Sequence, residues 1–168
     1  MIYLTTFILT LLLTQITRAL PQACGEPTFS ESPSPELYGD APYNLPVPSH
    51  LRTWYNREYD QGYRSLNGVA CSNGEFGLVS RFPTFRDVPS FPFIGGAFDV
   101  SWNSPNCGGC WKLTNKANND SIHITAIDTA DAGFKISEVA FKKLSGGSLG
   151  SGVLDVVAQK ISASVCGL

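Results

Sequence analysis

A mainly β fold, cross-linked by disulfides, is what this amino-acid sequence predicts, and three observations lead there. Short apolar runs are broken at close intervals by glycine, asparagine and proline, the rhythm of a small all-β domain. The five cysteines, Cys24, Cys71, Cys107, Cys110 and Cys166, are many for 168 residues and follow an apolar leader, which points to an oxidising compartment and a disulfide framework. With 43% hydrophobic and 15% charged residues, the chain has the composition of one compact domain.

Residues 1–13 are apolar apart from the hydroxyls of Tyr3, Thr5, Thr6 and Thr10, and Thr17 and Ala19 then flank Arg18. This reads as a secretory signal over residues 1–19, cleaved after Ala19. No Lys or Arg precedes the run, so an N-terminal membrane anchor is the alternative, although the run is shorter than the ~20 residues a spanning helix needs. No later segment is long enough to span. The mature protein is therefore expected off the membrane, extracellular or in the cell wall. Residues 20–50 are crowded with prolines, among them Pro21, Pro33, Pro42 and Pro48, and show neither helical nor strand periodicity. Such a stretch cannot bury enough surface to offset its ordering entropy, and it reads as an extension ahead of a domain over residues 51–168. Cys24 lies in it, the odd cysteine, either a free thiol or an intermolecular bridge.

Within the domain, strands are expected over residues 76–82, 110–114, 121–128 and 153–161. Turns are expected at Ser72-Asn73-Gly74, Gly95-Gly96, residues 115–120 and Gly146-Gly147. One helix stands out over residues 137–144: Ser137 can cap it, Glu138 suits its positive end, and Gly146 can stop it. Ile136, Ala140 and Leu144 line one face, which should pack on the sheet. In the strand over residues 121–128, Ile122, Ile124, Ala126 and Asp128 share one parity. If the aliphatic face is the core, Asp128 stands at its rim, suited to accept sugar hydroxyls or to donate a proton, or simply to cap the next turn.

A formal net charge of -2, a pI near 5.6 and the lack of a Lys/Arg cluster argue against nucleic acid as a partner. The Cys107-Gly-Gly-Cys110 motif invites a redox or zinc reading. A redox pair wants a helix to follow, whereas Trp111 opens a strand-like run, and structural zinc lacks a second ligand pair, with only His50 and His123 on hand. No cofactor or metal is expected. The same shortage of histidine argues against Ser/His/Asp and Cys/His nucleophiles. Paired acids for glycoside cleavage remain among Asp60, Asp99, Asp128 and Asp131. Aromatic rings are numerous and can lie against sugar C–H faces or pack the core. Trp111 reads as core, while Tyr55, Tyr59 and Trp102 are open between core and surface. Asn119-Asp-Ser121 is an N-glycosylation sequon in a predicted loop.

Several collinear stretches then resemble one family. These are Tyr59-Asp-Gln-Gly-Tyr-Arg-Ser-Leu66, Val69-Ala-Cys-Ser-Asn-Gly74, Phe91-Pro-Phe-Ile-Gly-Gly96, Trp102-Asn-Ser-Pro-Asn-Cys-Gly-Gly-Cys-Trp-Lys-Leu113, Ala126-Ile-Asp128, Gly133-Phe-Lys-Ile-Ser137 and the terminal Cys166-Gly-Leu168. Together they are similar to the cerato-platanin proteins of filamentous fungi, from about Trp54 to the C-terminus. The resemblance implies a six-stranded double-ψ β-barrel related to the expansin N-terminal domain, with disulfides Cys71–Cys107 and Cys110–Cys166. It also implies a secreted, monomeric, non-catalytic protein that binds chitin oligosaccharides, loosens walls as expansins do, and provokes plant defence through a host receptor or acts in virulence.

Carried over by position, the implied ligand groove takes in Asp128, Gly133, Phe134, Tyr59 and Asp60, with Trp102 and Asn103 from the cysteine-rich motif. Two departures bear on it. Trp54-Tyr55-Asn56 stands where the family has Ser-Tyr-Asp, removing a carboxylate, and Lys135 stands in place of an asparagine. Two rival readings are a cryptic wall hydrolase using Asp128 and a surface-active structural wall protein.

Overall fold

The computed structural model describes residues 47, 48 and 50–168. The predicted signal, Cys24 and nearly all of the proline-rich extension lie outside the described residues. Six strands form the domain: β1 Leu51–Tyr55, β2 Ile94–Ala97, β3 Cys110–Asn115, β4 Ser121–Thr129, β5 Phe134–Ile136 and β6 Val153–Ile161, with one helix, α1 Glu138–Leu144. They close into a barrel in the order β1-β5-β2-β4-β3-β6. The β1/β5 and β2/β4 contacts are parallel and the other four antiparallel, so the barrel expected from the resemblance is the one found. Both implied disulfides are present, spanning sequence separations of 36 and 56 residues. Loops of that size lose on the order of 4 kcal/mol of closure entropy from the unfolded chain when cross-linked. Among the described residues no helix is long and apolar enough to cross a membrane.

The core is filled from alternate strand positions and from loops that fold inward. Ile94, Leu113, Ile124, Phe134 and Ile136 are fully buried, and Phe134 meets Trp111 and Phe98 edge-on at 5.2 and 5.8 Å. Each such side chain contributes roughly 1.5–3 kcal/mol of burial. Helix α1 follows the expected scheme. Ser137 Oγ accepts from Ala140 N at 3.0 Å, and Ala140, Phe141 and Leu144 are buried. Its other free amides have a partner from afar: Asp60 Oδ2 and Oδ1 accept from Glu138 N and Val139 N at 2.8 and 3.1 Å.

Three expectations need correction. Residues 76–82 are a chain of turns, not a strand. Leu78 N and Val79 N bond to Cys71 O and Ser72 O, folding the segment back on the residues beside the disulfide, and Gly77 packs too closely on the Asn73 backbone to carry a Cβ. Gly95-Gly96 is not a turn but the middle of β2. A Cβ on Gly95 would run into Lys135 O, and one on Gly96 into Thr129 O, so these glycines mark close strand approach, not a reversal. The parity argument for β4 also breaks: Gly95 pairs with Ala126 but Gly96 with Asp128. Ile127 is an inserted bulge residue, and Ala126 and Ile127 are both buried, so Asp128 no longer continues the aliphatic face.

Gly133 and Gly147 separate two roles of glycine. Both have positive φ, at +98° and +102°, but a Cβ on Gly133 would strike the Arg52 carbonyl across the β1/β5 pairing, whereas one on Gly147 meets nothing within 4 Å. Gly147→Ala should therefore cost about 1 kcal/mol and Gly133→Ala more than about 3 kcal/mol, read as denaturant midpoints. Equal losses would show that conformation alone matters at residue 133. Asp60→Ala should cost about 1–2 kcal/mol through the uncapped α1 amides, measurable in the same titration.

Candidate functional site

A trough of about 240 Å³ opens where β4 ends. Asp128, half-buried, lines it. Its Oδ2 accepts from the Tyr59 hydroxyl at 2.9 Å, and its Oδ1 accepts from Ala70 N at 2.9 Å and Thr129 N at 2.8 Å. A carboxylate offers about four acceptor positions, so most of its capacity is used to fix its orientation.

Local sequence builds these supports. Asn56 caps the short 3-10 turn Arg57–Asp60, its side chain accepting from Glu58 N, and Asn56 N is tied to Ile136 O at 2.8 Å. That turn drives the Tyr59 ring inward beside Phe85 while its hydroxyl reaches Asp128. Burial, and after it the Asp128 carboxylate, push the Tyr59 phenol above its ordinary pKa, so it remains a donor. Arg64 lines the trough and pairs with Glu58 at 3.2 Å. Lys135, Thr129 and Asp131 complete the rim, and Lys135 forms no ion pair among the described residues.

The predicted site residues divide. Asp128 and Tyr59 meet in the trough. Asp60 is turned away from it, both oxygens being engaged by α1. Gly133 is buried against Arg52, and Phe134 is fully buried among Trp111 and Phe98, so the Phe134 ring belongs to the core and cannot meet a ligand. Trp102 and Asn103 are not among the residues that line the trough. They form a separate tip, with Trp102 Nε1 donating to Asn73 Oδ1 and Asn103 Oδ1 accepting from Phe76 N, each at 3.0 Å, and the indole 64% exposed. Trp111 is core, as expected, and Tyr55 is half-buried against Phe141. Asn119 is exposed at the β3–β4 turn with φ of 61°.

Of the four acids considered for paired catalysis, Asp60 caps α1 and Asp99 is buried against Lys160 at 3.1 Å, leaving Asp128 and Asp131 in one trough. Among the described residues no group of three or more His, Cys, Asp or Glu is placed to hold a metal ion. Sequence reading missed the Arg64–Glu58 pair and the Ala70 amide. Arg64 lies in a motif already singled out and was accessible from it. A backbone donor leaves no trace in residue identity.

Comparison with known proteins agrees with the barrel and its cross-links. The family model described as Cerato-platanin matches residues 51–168. The chain is 37% identical over 126 residues to the heat-stable 19 kDa antigen of Coccidioides immitis, covering 73% of this chain and 85% of that one. It is 42% identical over 103 residues to cerato-platanin of Ceratocystis fimbriata f. sp. platani, covering 61% and 76%. Among solved structures, cerato-platanin 2 from M. perniciosa superposes with a TM-score of 0.67 at 41% identity, over 71% of this chain and 99% of that one. The solution structure of the fungal elicitor cerato-platanin gives 0.64 at 40% identity, over 69% and 96%. With the matched region spanning the whole barrel and its four paired cysteines, the chain belongs to the cerato-platanin family.

Proposed function

We propose that this protein is a secreted, non-catalytic binder of cell-wall polysaccharide, taking chitin oligomers in the Asp128 trough, loosening walls as expansins do, and acting as an elicitor or virulence factor. The observation that carries this reading is the Asp128 carboxylate, immobilised by Tyr59, Ala70 and Thr129 beside Arg64 and Lys135. An acceptor held rigidly beside the cationic donors of Arg64 and Lys135 suits the mixed hydroxyl and amide edge of an N-acetylated sugar chain. Secretion is supported by the leader-like residues 1–19, the two disulfides and the naming of relatives as antigen and elicitor. In this reading residues 20–50 are a spacer, Asn119 is a glycan acceptor, the protein is a monomer, and a plant receptor is its host partner.

Asp131 beside Asp128 keeps a hydrolase reading in view, because glycoside cleavage needs two acids. The distinction is direct: incubation with chitin or glucan should release no reducing ends, and release abolished by Asp128→Asn would establish cleavage instead. Asp128→Ala should weaken binding of chitin hexamer at least about tenfold with the disulfides and fold intact, since a charge-assisted acceptor is lost. Unchanged affinity by calorimetry would remove the trough from the account.

Tyr59→Phe should lower stability by about 1 kcal/mol and weaken the same binding, because Asp128 loses one of its anchors. The phenol titrates above its ordinary value of 10.0 in the folded state, so the folded protein holds that proton where the unfolded chain has released it. Stability from this group is present below pH 10 and lost as pH rises beyond it. The alkaline decline measured by denaturant titration should be shallower in Tyr59→Phe than in the parent.

A further inference from the structure

A second depression of about 670 Å³ is lined by Asp60, Gln61, Gly62, Tyr63, Arg86 and Phe91, and Arg64 borders both it and the Asp128 trough. Its position is set by backbone, not by chance side-chain proximity. Phe85 N donates to Arg64 O and Arg86 N to Gly62 O, each at 2.9 Å, and Ser65 bridges Thr84, so the two loops are zipped together. Phe85 is fully buried beneath them. The consequence is that the Arg86 guanidinium lies 3.6 Å from the centre of the Tyr63 ring, while Tyr63 itself is 79% exposed.

The charges around this stack are already engaged elsewhere. Asp60 is held by the α1 amides, Asp87 accepts from Thr84 N and Oγ1 at 2.8 and 2.7 Å, and Arg64 pairs with Glu58. Of the two arginines that line this depression, Arg86 forms no salt bridge among the described residues, and the neighbouring Asp87 carboxylate feels its charge without pairing with it. Stacking fixes the plane of a guanidinium but leaves its N–H edge free, and that edge matches a carboxylate in fork geometry. Gly62 keeps the floor low: a Cβ there would crowd Phe91 at 3.1 Å and Arg86 at 3.3 Å.

We propose that the Tyr63–Arg86 stack is a second subsite that binds the carboxylate-bearing sugars of uronic-acid polysaccharide. The open ring of Tyr63 supplies an apolar plate for a sugar C–H face, and Arg86 takes the carboxylate. The choice of a glycan over an acidic peptide rests on the proposed sugar-binding role of the Asp128 trough, which shares Arg64 with this depression.

The test uses the secreted full chain with four probes: polygalacturonate, the same polymer fully methyl-esterified, chitin hexamer and poly-glutamate. The parent should bind polygalacturonate at least about tenfold more tightly than its ester, more weakly as salt is raised, and poly-glutamate weakly. Arg86→Gln and Tyr63→Ala should each reduce polygalacturonate binding about five- to tenfold with unchanged melting temperature and unchanged chitin binding, and Tyr63→Phe should retain it. Asp128→Asn should do the reverse, losing chitin and keeping polygalacturonate. No binding of polygalacturonate, equal binding of its ester, or indifference to Arg86→Gln would overturn the subsite. Poly-glutamate bound as tightly and through Arg86 would overturn its assignment to sugar. Chitin unbound by the parent, with Arg86-dependent polygalacturonate binding intact, would remove the chitin reading alone.

Discussion

The barrel depends on strand contacts around β2 and β5 that bring backbones closer than a side-chain carbon allows. At β1/β5 the crowding falls on Gly133 against the Arg52 carbonyl, and around β2 it falls on Gly95 and Gly96 against the carbonyls of Lys135 and Thr129. Closure of a small barrel leaves no slack elsewhere to absorb such crowding, because neighbouring strands are already at hydrogen-bonding distance. At the same point the β2/β4 register advances one residue on β4, leaving Ile127 as a bulge. The bulge lifts Asp128 out of the interior face, so the placement of the candidate ligand-binding acid follows from packing several residues away.

Asp128 in turn joins segments that are remote in sequence. Its two oxygens collect the 3-10 turn of Tyr59, the loop of Ala70 and its own strand end. Cys71, next to Ala70, is tied by its backbone to Ile127 O and by its sulfur to Cys107, so the Ala70 amide cannot drift from the carboxylate. The proposed recognition and the fold thus share one set of hydrogen bonds. That sharing gives the trough a rigid acceptor with little ordering entropy left to lose on binding.

Much of this was legible in the residues, and the misses have physical causes. Helix α1 could be read because a cap, a dipole-matched acid and a terminating glycine act within a few residues of one another. β3, β4 and β6 could be read because their alternation runs long enough to register. β5 is only three residues, too short to carry a period, and β2 is a strand written in a breaker's alphabet, Ile-Gly-Gly-Ala. The run over residues 76–82 is the converse: apolar enough for a strand, yet folded back by long-range bonds to Cys71 and Ser72. At the site, the family motifs located Asp128 and Tyr59. Position alone could not tell that Phe134, in a matching motif, points into the core, or that Asp60 serves a helix, because both depend on where the chain crosses itself.

The length of β4 has a practical side. Asp128 stands near one end of this nine-residue strand, and Asn119 lies just beyond the other, at an exposed turn. At about 3.3 Å per residue the two are separated by more than roughly 20 Å, most of the height of the barrel. A bulky attachment at residue 119, whether a glycan, a dye or a bead, would therefore hang from the pole opposite the trough and leave the mouth of the trough unobstructed.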